Sequence, residues 1–97
     1  MNILTAKHRA ILRATAHTLN PVVSIGEGGV TPGVIRETGV ALDAHELVKI
    51  RVHSADRAAR ANLLDILCQA TGAVPVQHIG RILVLYRPAN PPRIVLT

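Results

Sequence analysis

The run Ile82-Leu83-Val84-Leu85-Tyr86 constrains this chain more than any other stretch. It is continuously apolar and lacks the polar alternation of a strand that shows one face to water. A strand here is therefore buried on both faces, and a sheet containing it needs cover on both sides. The chain has 97 residues, 48% of them hydrophobic and 18% charged, which is enough for one folded domain with a modest core. One Tyr, no Phe and no Trp are present, so Val, Ile, Leu and Ala must build that core. The same shortage argues against binding modes that stack bases on aromatic platforms.

The covering helices can be placed from local signals. Thr5 is a plausible N-cap for a first helix ending near His17. Leu4, Ile11, Leu12, Thr15, Ala16 and Leu19 lie roughly on one side of it, and Arg9, Arg13 and His17 form a basic stripe at i, i+4, i+8. Pro21 ends this helix. A short strand, Val22 to Ile25, leads into a glycine loop. Thr31 as N-cap and Pro32 at the first helical position then start a second helix, expected to reach Ala44 with Val34, Ile35, Thr38, Ala41 and Leu42 inward. Leu47 to Val52 alternates, with Val48, Ile50 and Val52 on one face and Lys49 and Arg51 on the other. One face of that strand is thus expected to be open. Ser54 is the expected N-cap of a third helix, with Asp56 in its first turn and Ala59, Leu63, Ile66, Leu67 and Ala70 as its stripe. Gly72 closes it. Val74 to Ile79 and Arg81 to Arg87 form a hairpin around Gly80.

The order α-β-α-β-α-β-β predicts an α/β fold, a mixed four-stranded sheet packed with three helices. Two right-handed crossover units and a hairpin generate it. The second and third helices can cover one side, and the first is available for the other. Residues 1–88 are expected to form the domain and 89–97 a short tail, either frayed or paired with an edge strand, because Pro88, Pro91 and Pro92 break regular structure.

Charge narrows the function. Eleven Lys and Arg oppose six Asp and Glu, a formal net charge of +5, which favours a polyanionic partner. A single cysteine, Cys68, excludes an internal disulfide and falls in an apolar helix stripe. No stretch approaches the roughly 18 apolar residues of a membrane span, and a cytoplasmic location is expected. Catalytic motifs are missing: no G-x-S-x-G, no H-E-x-x-H and no phosphate-binding G-x-x-x-x-G-K. Gly26, Gly28 and Gly33 do not complete a dinucleotide fingerprint. The five histidines, His8, His17, His45, His53 and His78, show no metal-ligand spacing. His45-Glu46 has the composition of an acid–base pair, but a helix-to-strand junction calls for polar residues in any case.

Gly26-Glu27-Gly28-Gly29 is the strongest remaining signal. A G-x-x-G turn between a strand and a helix lets backbone come close to a sugar-phosphate chain at a helix N-terminus.

Four separated motifs then acquire a common meaning. They are Leu4-Thr5 with Leu19-Asn20-Pro21-Val22-Val23, Ile25-Gly26-x-x-Gly29-Val30-Thr31, Ala41-Leu42-x-x-His45-Glu46-Leu47-Val48-Lys49-Ile50, and Val76-Gln77-x-Ile79-Gly80-Arg81 continuing to Arg87. In this order they resemble the CRM domain (chloroplast RNA splicing and ribosome maturation), especially its small bacterial members of the YhbY type. The resemblance spans Leu4 to Pro88. It implies an RNA-binding module similar in shape to the C-terminal domain of translation initiation factor three, associated with precursors of the large ribosomal subunit. It also implies a partner that is RNA, most naturally large-subunit ribosomal RNA. The expectation is a monomeric, non-enzymatic protein with no metal, cofactor, small-molecule substrate or membrane contact. An alternative is a protein-interaction module of a ribosome-associated assembly, using Glu27 and Ile94 to Leu96. One position departs from the family: its loops commonly carry a basic residue where Glu27 stands. A carboxylate there opposes a phosphate by on the order of 0.3–1 kcal/mol if exposed. The expected RNA-binding set is therefore Gly26, Glu27, Gly28, Gly29 and Thr31 as a shape element, with Arg9, Arg13, His17, Arg36, Lys49 and Arg51 supplying charge.

Overall fold

A computed structural model describes residues 4–53 and 56–96. Its elements are α1 (Ala6–Ala16), β1 (Val23–Ile25), α2 (Pro32–His45), β2 (Leu47–Val52), α3 (Arg57–Thr71), β3 (Val74–Ile79) and β4 (Ile82–Tyr86). The fold is α/β, a four-stranded mixed sheet in the order β1-β2-β4-β3 with three helices. β1 runs parallel to β2, and β4 runs antiparallel to both of its neighbours. The apolar run thus occupies an interior strand. Leu83, Val84 and Leu85 are fully buried and Tyr86 is 2% exposed. β3 is an edge strand, where Pro75 is tolerated because no ladder hydrogen bond need start from it.

Two cores sandwich the sheet. Under α2 and α3 lie Val23, Ile25, Leu42, Val48, Ile50, Val52, Leu64, Leu67, Cys68, Leu83 and Leu85. On the opposite face α1 buries Leu12 and Ala16 against Leu47, Val76, Val84 and Tyr86. Thr5 caps α1 by accepting from the His8 N–H at 3.0 Å, and Thr31 caps α2 by accepting from the Val34 N–H at 3.2 Å.

Several expectations change. Asp56, expected in the first turn of α3, is its N-cap and accepts from the Ala59 N–H at 2.8 Å. Ser54, the expected cap, lies outside the described residues. The buried stripe of α3 is Leu64, Leu67 and Cys68, whereas Ile66 is 40% exposed and Ala59 and Ala70 face solvent. Leu63-Leu64 and Ile66-Leu67-Cys68 allow two helical phases, and packing against β3 and β4 selects one. On α1, Thr15 is exposed and Leu19 lies beyond the helix at the surface.

The C-terminal segment neither frays nor forms a strand. It folds back so that Ile94 and Leu96 pack on the α1-side core. The anchor is Glu46, the C-cap of α2 at φ 64, buried to 1% exposure. Its carboxylate accepts from the backbone N–H groups of Ala89 (2.6 Å), Arg93 (3.0 and 3.1 Å) and Ile94 (2.9 Å). Nearby, Arg87 donates to the carbonyls of Thr71 and Gly39 and pairs with Asp43 at 2.6 Å, tying α2 and α3 to the end of β4.

Candidate nucleic-acid interface

α1 covers only part of its sheet face. Cross-strand register places three rows there. Leu47, Tyr86 and Val74 form the row under the helix; Lys49, Val84 and Gln77 form the next; Ser24, Arg51, Ile82 and Ile79 form the outermost. Arg51 and Ile79 of the last row are exposed. Where the helix gives way to open sheet, Arg13 of α1 and its C-cap His17 face Lys49, Gln77, Ile79 and Ile82 across one cleft. Sequence spacing placed Arg13 and His17 on one helix stripe, and alternation placed Lys49 and Arg51 on one strand face. The fold brings the two sets together.

No acidic residue lies on α1 or on any strand: Glu27, Glu37, Asp43, Glu46, Asp56 and Asp65 fall on the glycine loop, α2, α3 and their caps. Among the described residues the cleft therefore has no acidic side chain, and Arg13 and Lys49 give it positive charge. Among the described residues, Arg13, Lys49 and Arg51 form no ion pair, so their charge is available to a partner. Arg9 is placed differently. It is half-buried, and its guanidinium donates to the Pro75 carbonyl, fastening α1 to β3.

The glycine loop leaves β1 at one end of the sheet. The Gly29 N–H donates to the Gly26 carbonyl at 3.1 Å, closing a turn with Glu27 and Gly28 at its tip. Gly29 sits at φ 69, a conformation that disfavours side chains. A Cβ on Gly26 would meet no atom within 4 Å beyond its two chain neighbours, so packing does not require glycine there. Glu27 and Gly28 are exposed. The same end carries His53, whose N–H donates to the Ile25 carbonyl at 2.9 Å, and the Gly80-Arg81 turn, whose Arg81 donates to the His53 carbonyl. Thr31 uses its hydroxyl oxygen in the α2 cap. Arg36 stands apart from the cleft, in a shallow groove on α2 with Thr31, Gly33 and Glu37.

Alternative chemistry finds little purchase. Burial pushes the Glu46 carboxyl up, but the N–H groups of Ala89, Arg93 and Ile94 and the charge of Arg93 outweigh it and hold the carboxyl below its ordinary value. Both oxygens are engaged with backbone, so Glu46 is a structural anion and not a partner in acid–base work with His45. Burial, then the charge of Asp65, pushes the Cys68 thiol up to about 11, leaving it protonated and unreactive at neutral pH. Burial, then the charge of Glu46, also raises Tyr86, which belongs to the core. Among the described residues no cluster of three His, Cys, Asp or Glu could hold a metal ion, and no helix is long and apolar enough to cross a membrane.

Gln77, Ile79 and Ile82 were not among the residues expected at the site. Their place in the outer rows depends on β4 inserting beside β2, which the chain order alone does not dictate.

Comparison with known proteins places the chain and its fold in a family. The family model described as the CRS1 / YhbY (CRM) domain matches residues 4–87. A Haemophilus influenzae protein named "RNA-binding protein" is 44% identical over 96 residues, covering 99% of this chain and 97% of that one. A Bacillus subtilis relative, named "Probable RNA-binding protein YqeI", is 34% identical over 85 residues, covering 88% of each. A Staphylococcus aureus protein solved in solution, and described as a candidate RNA-binding protein, superposes with a TM-score of 0.85 at 32% identity over 98% of this chain and 100% of its own. The chain belongs to the CRS1 / YhbY (CRM) domain family.

Proposed function

We propose that this protein binds RNA without catalysing a reaction, and that its target is ribosomal RNA of the large subunit during assembly. The observation that carries the reading is the cleft, free of acidic side chains, in which Arg13 of α1 and its C-cap His17 converge on Lys49 and, one row away, Arg51. Cations spaced along a helix and a strand, with no carboxylate between them, suit a sugar-phosphate backbone. The loop Gly26 to Gly29 contributes shape: the backbone at Gly26 is open to close approach, while Glu27 weakens the site as an anion trap. Arg36 lies apart, in the groove on α2 that begins at Thr31, with Glu37 beside it. The CRM family membership and the RNA-binding names of the relatives support RNA over other polyanions.

Crosslinking the protein to RNA in cells, followed by mapping of the bound fragments, tests the target. The expected result is enrichment at discrete positions of large-subunit ribosomal RNA. Fragments spread evenly over abundant transcripts would contradict the ribosomal reading.

A further inference from the structure

Lys49 belongs to two concavities. Beyond the basic cleft, between the end of α1 and the start of β2, lies a partly enclosed cavity of about 470 Å³. That volume falls within the roughly 300–1,000 Å³ typical of small-ligand sites. Its apolar lining includes Leu19, Val22 and Ile94, and Thr15, Asn20, His45 and Lys49 bring polar groups. Leu19 is 37% and Val22 is 50% exposed, so this is apolar surface left uncovered by the fold. Ile94 is held in place from behind, because its N–H donates to the buried Glu46 carboxylate at 2.9 Å. Among the described residues, no acidic side chain lines the cavity.

We infer that this cavity receives one unstacked nucleobase of the bound RNA, whose phosphate is met by Lys49. The inference rests on the RNA-binding reading and adds a source of base selectivity to it. Aliphatic walls suit the flat apolar faces of a base, in a chain that has no Phe or Trp and whose one tyrosine, Tyr86, is buried. The Asn20 amide offers both a donor and an acceptor, as does a neutral His45 imidazole, and base edges present the same two kinds of group. Lys49 lies where the base site meets the cationic cleft, so a strand following the cleft delivers a nucleotide to the cavity without a turn of the protein.

The test uses the full chain, labelled for amide NMR, with the four nucleoside 5′-monophosphates and ribose 5-phosphate as probes. At least one nucleotide should move the amides of Leu19, Asn20, Val22 and Lys49 saturably, and ribose 5-phosphate should not. Leu19→Ser and Asn20→Ala change exposed positions, and their spectra report that the fold is intact. In these variants the ratio of affinities for preferred and disfavoured homopolymer RNA should fall roughly five- to tenfold, with the salt dependence of binding unchanged. Equal shifts with ribose 5-phosphate would reduce the cavity to an anion site and overturn the inference. So would RNA binding with no base preference in the unmodified protein, or no movement of these amides with any of the four nucleotides. Loss of all RNA binding by the unmodified protein would instead overturn the RNA-binding reading itself.

Discussion

Replacing Glu46 by Gln isolates the charge that fastens the C-terminal segment. The carboxylate offers two acceptor oxygens to the N–H groups of Ala89, Arg93 and Ile94, at 2.6 to 3.1 Å. A Gln amide fits the same space but keeps one acceptor oxygen. Its NH₂ then points at a backbone donor, whichever way it is turned. Hydrogen bonds to a buried charge contribute roughly 1.5–3 kcal/mol each. Desolvation of the carboxylate offsets part of that, since burial is the largest single influence on its titration. Loss of one or two such bonds, less the relieved desolvation, gives a destabilisation of about 3 kcal/mol. For a domain of this size that corresponds to a fall in Tm on the order of 12 °C or more.

The pH dependence has a defined sign. The folded carboxyl titrates below its ordinary value of 4.5, so its contribution is present at neutral pH and is lost as pH falls through the folded value. Urea unfolding followed by far-ultraviolet circular dichroism at a series of pH values measures this. Unmodified protein should exceed Glu46→Gln most at pH 6–7, and the gap should close on acidification. Equal stability at neutral pH, or a gap that widens in acid, would refute the assignment of the carboxylate as an anchoring anion.

Gly29→Ala forces a side chain onto φ 69 and should lower stability by about 1–2 kcal/mol in thermal unfolding. Gly26→Ala, whose Cβ meets nothing within 4 Å, should leave stability unchanged and weaken RNA binding in a fluorescence anisotropy titration. Glu27→Lys, at an exposed turn tip, should tighten RNA binding several-fold at low salt, with the gain shrinking as salt is added. The thiol of Cys68, pushed up to about 11 and buried, should resist aromatic disulfide reagents at pH 7 until the protein is unfolded in denaturant.

Local signals announced most of the fold. The uninterrupted run at Ile82 to Tyr86 demanded two-sided cover, and α1 opposite α2 and α3 supplies it. Thr5 and Thr31 were legible as caps because capping is settled within three residues. Asp56 was misplaced by two positions, since Ser54 and Asp56 are chemically equivalent candidates and only the path of the chain decides between them. The phase of α3 was ambiguous because only Asp65 interrupts the apolar sequence from Leu63 to Cys68. The roles of Glu46, Arg87 and Arg93 were illegible, since their partners lie more than ten residues away in the chain. At the candidate site, Arg13 and His17 were read from helical spacing and Lys49 and Arg51 from strand alternation. Their union required knowing that α1 stops short of the outer sheet rows. Arg9, read as part of the same stripe, is committed to the Pro75 carbonyl because the helix crosses β3 at that turn.

The salt dependence of RNA binding tests the central claim most directly. Affinity for a large-subunit ribosomal RNA fragment is measured by anisotropy across a range of salt concentrations, for the unmodified protein and for the Arg13→Ala/Lys49→Ala double variant. Both side chains project from the surface into the cleft, so the variant should unfold at an unchanged temperature. If the cleft holds the phosphate backbone, the slope of log affinity against log salt falls by about two, one for each cation removed. A double variant that remains folded and binds with the same slope would show that RNA, if bound at all, does not lie in this cleft.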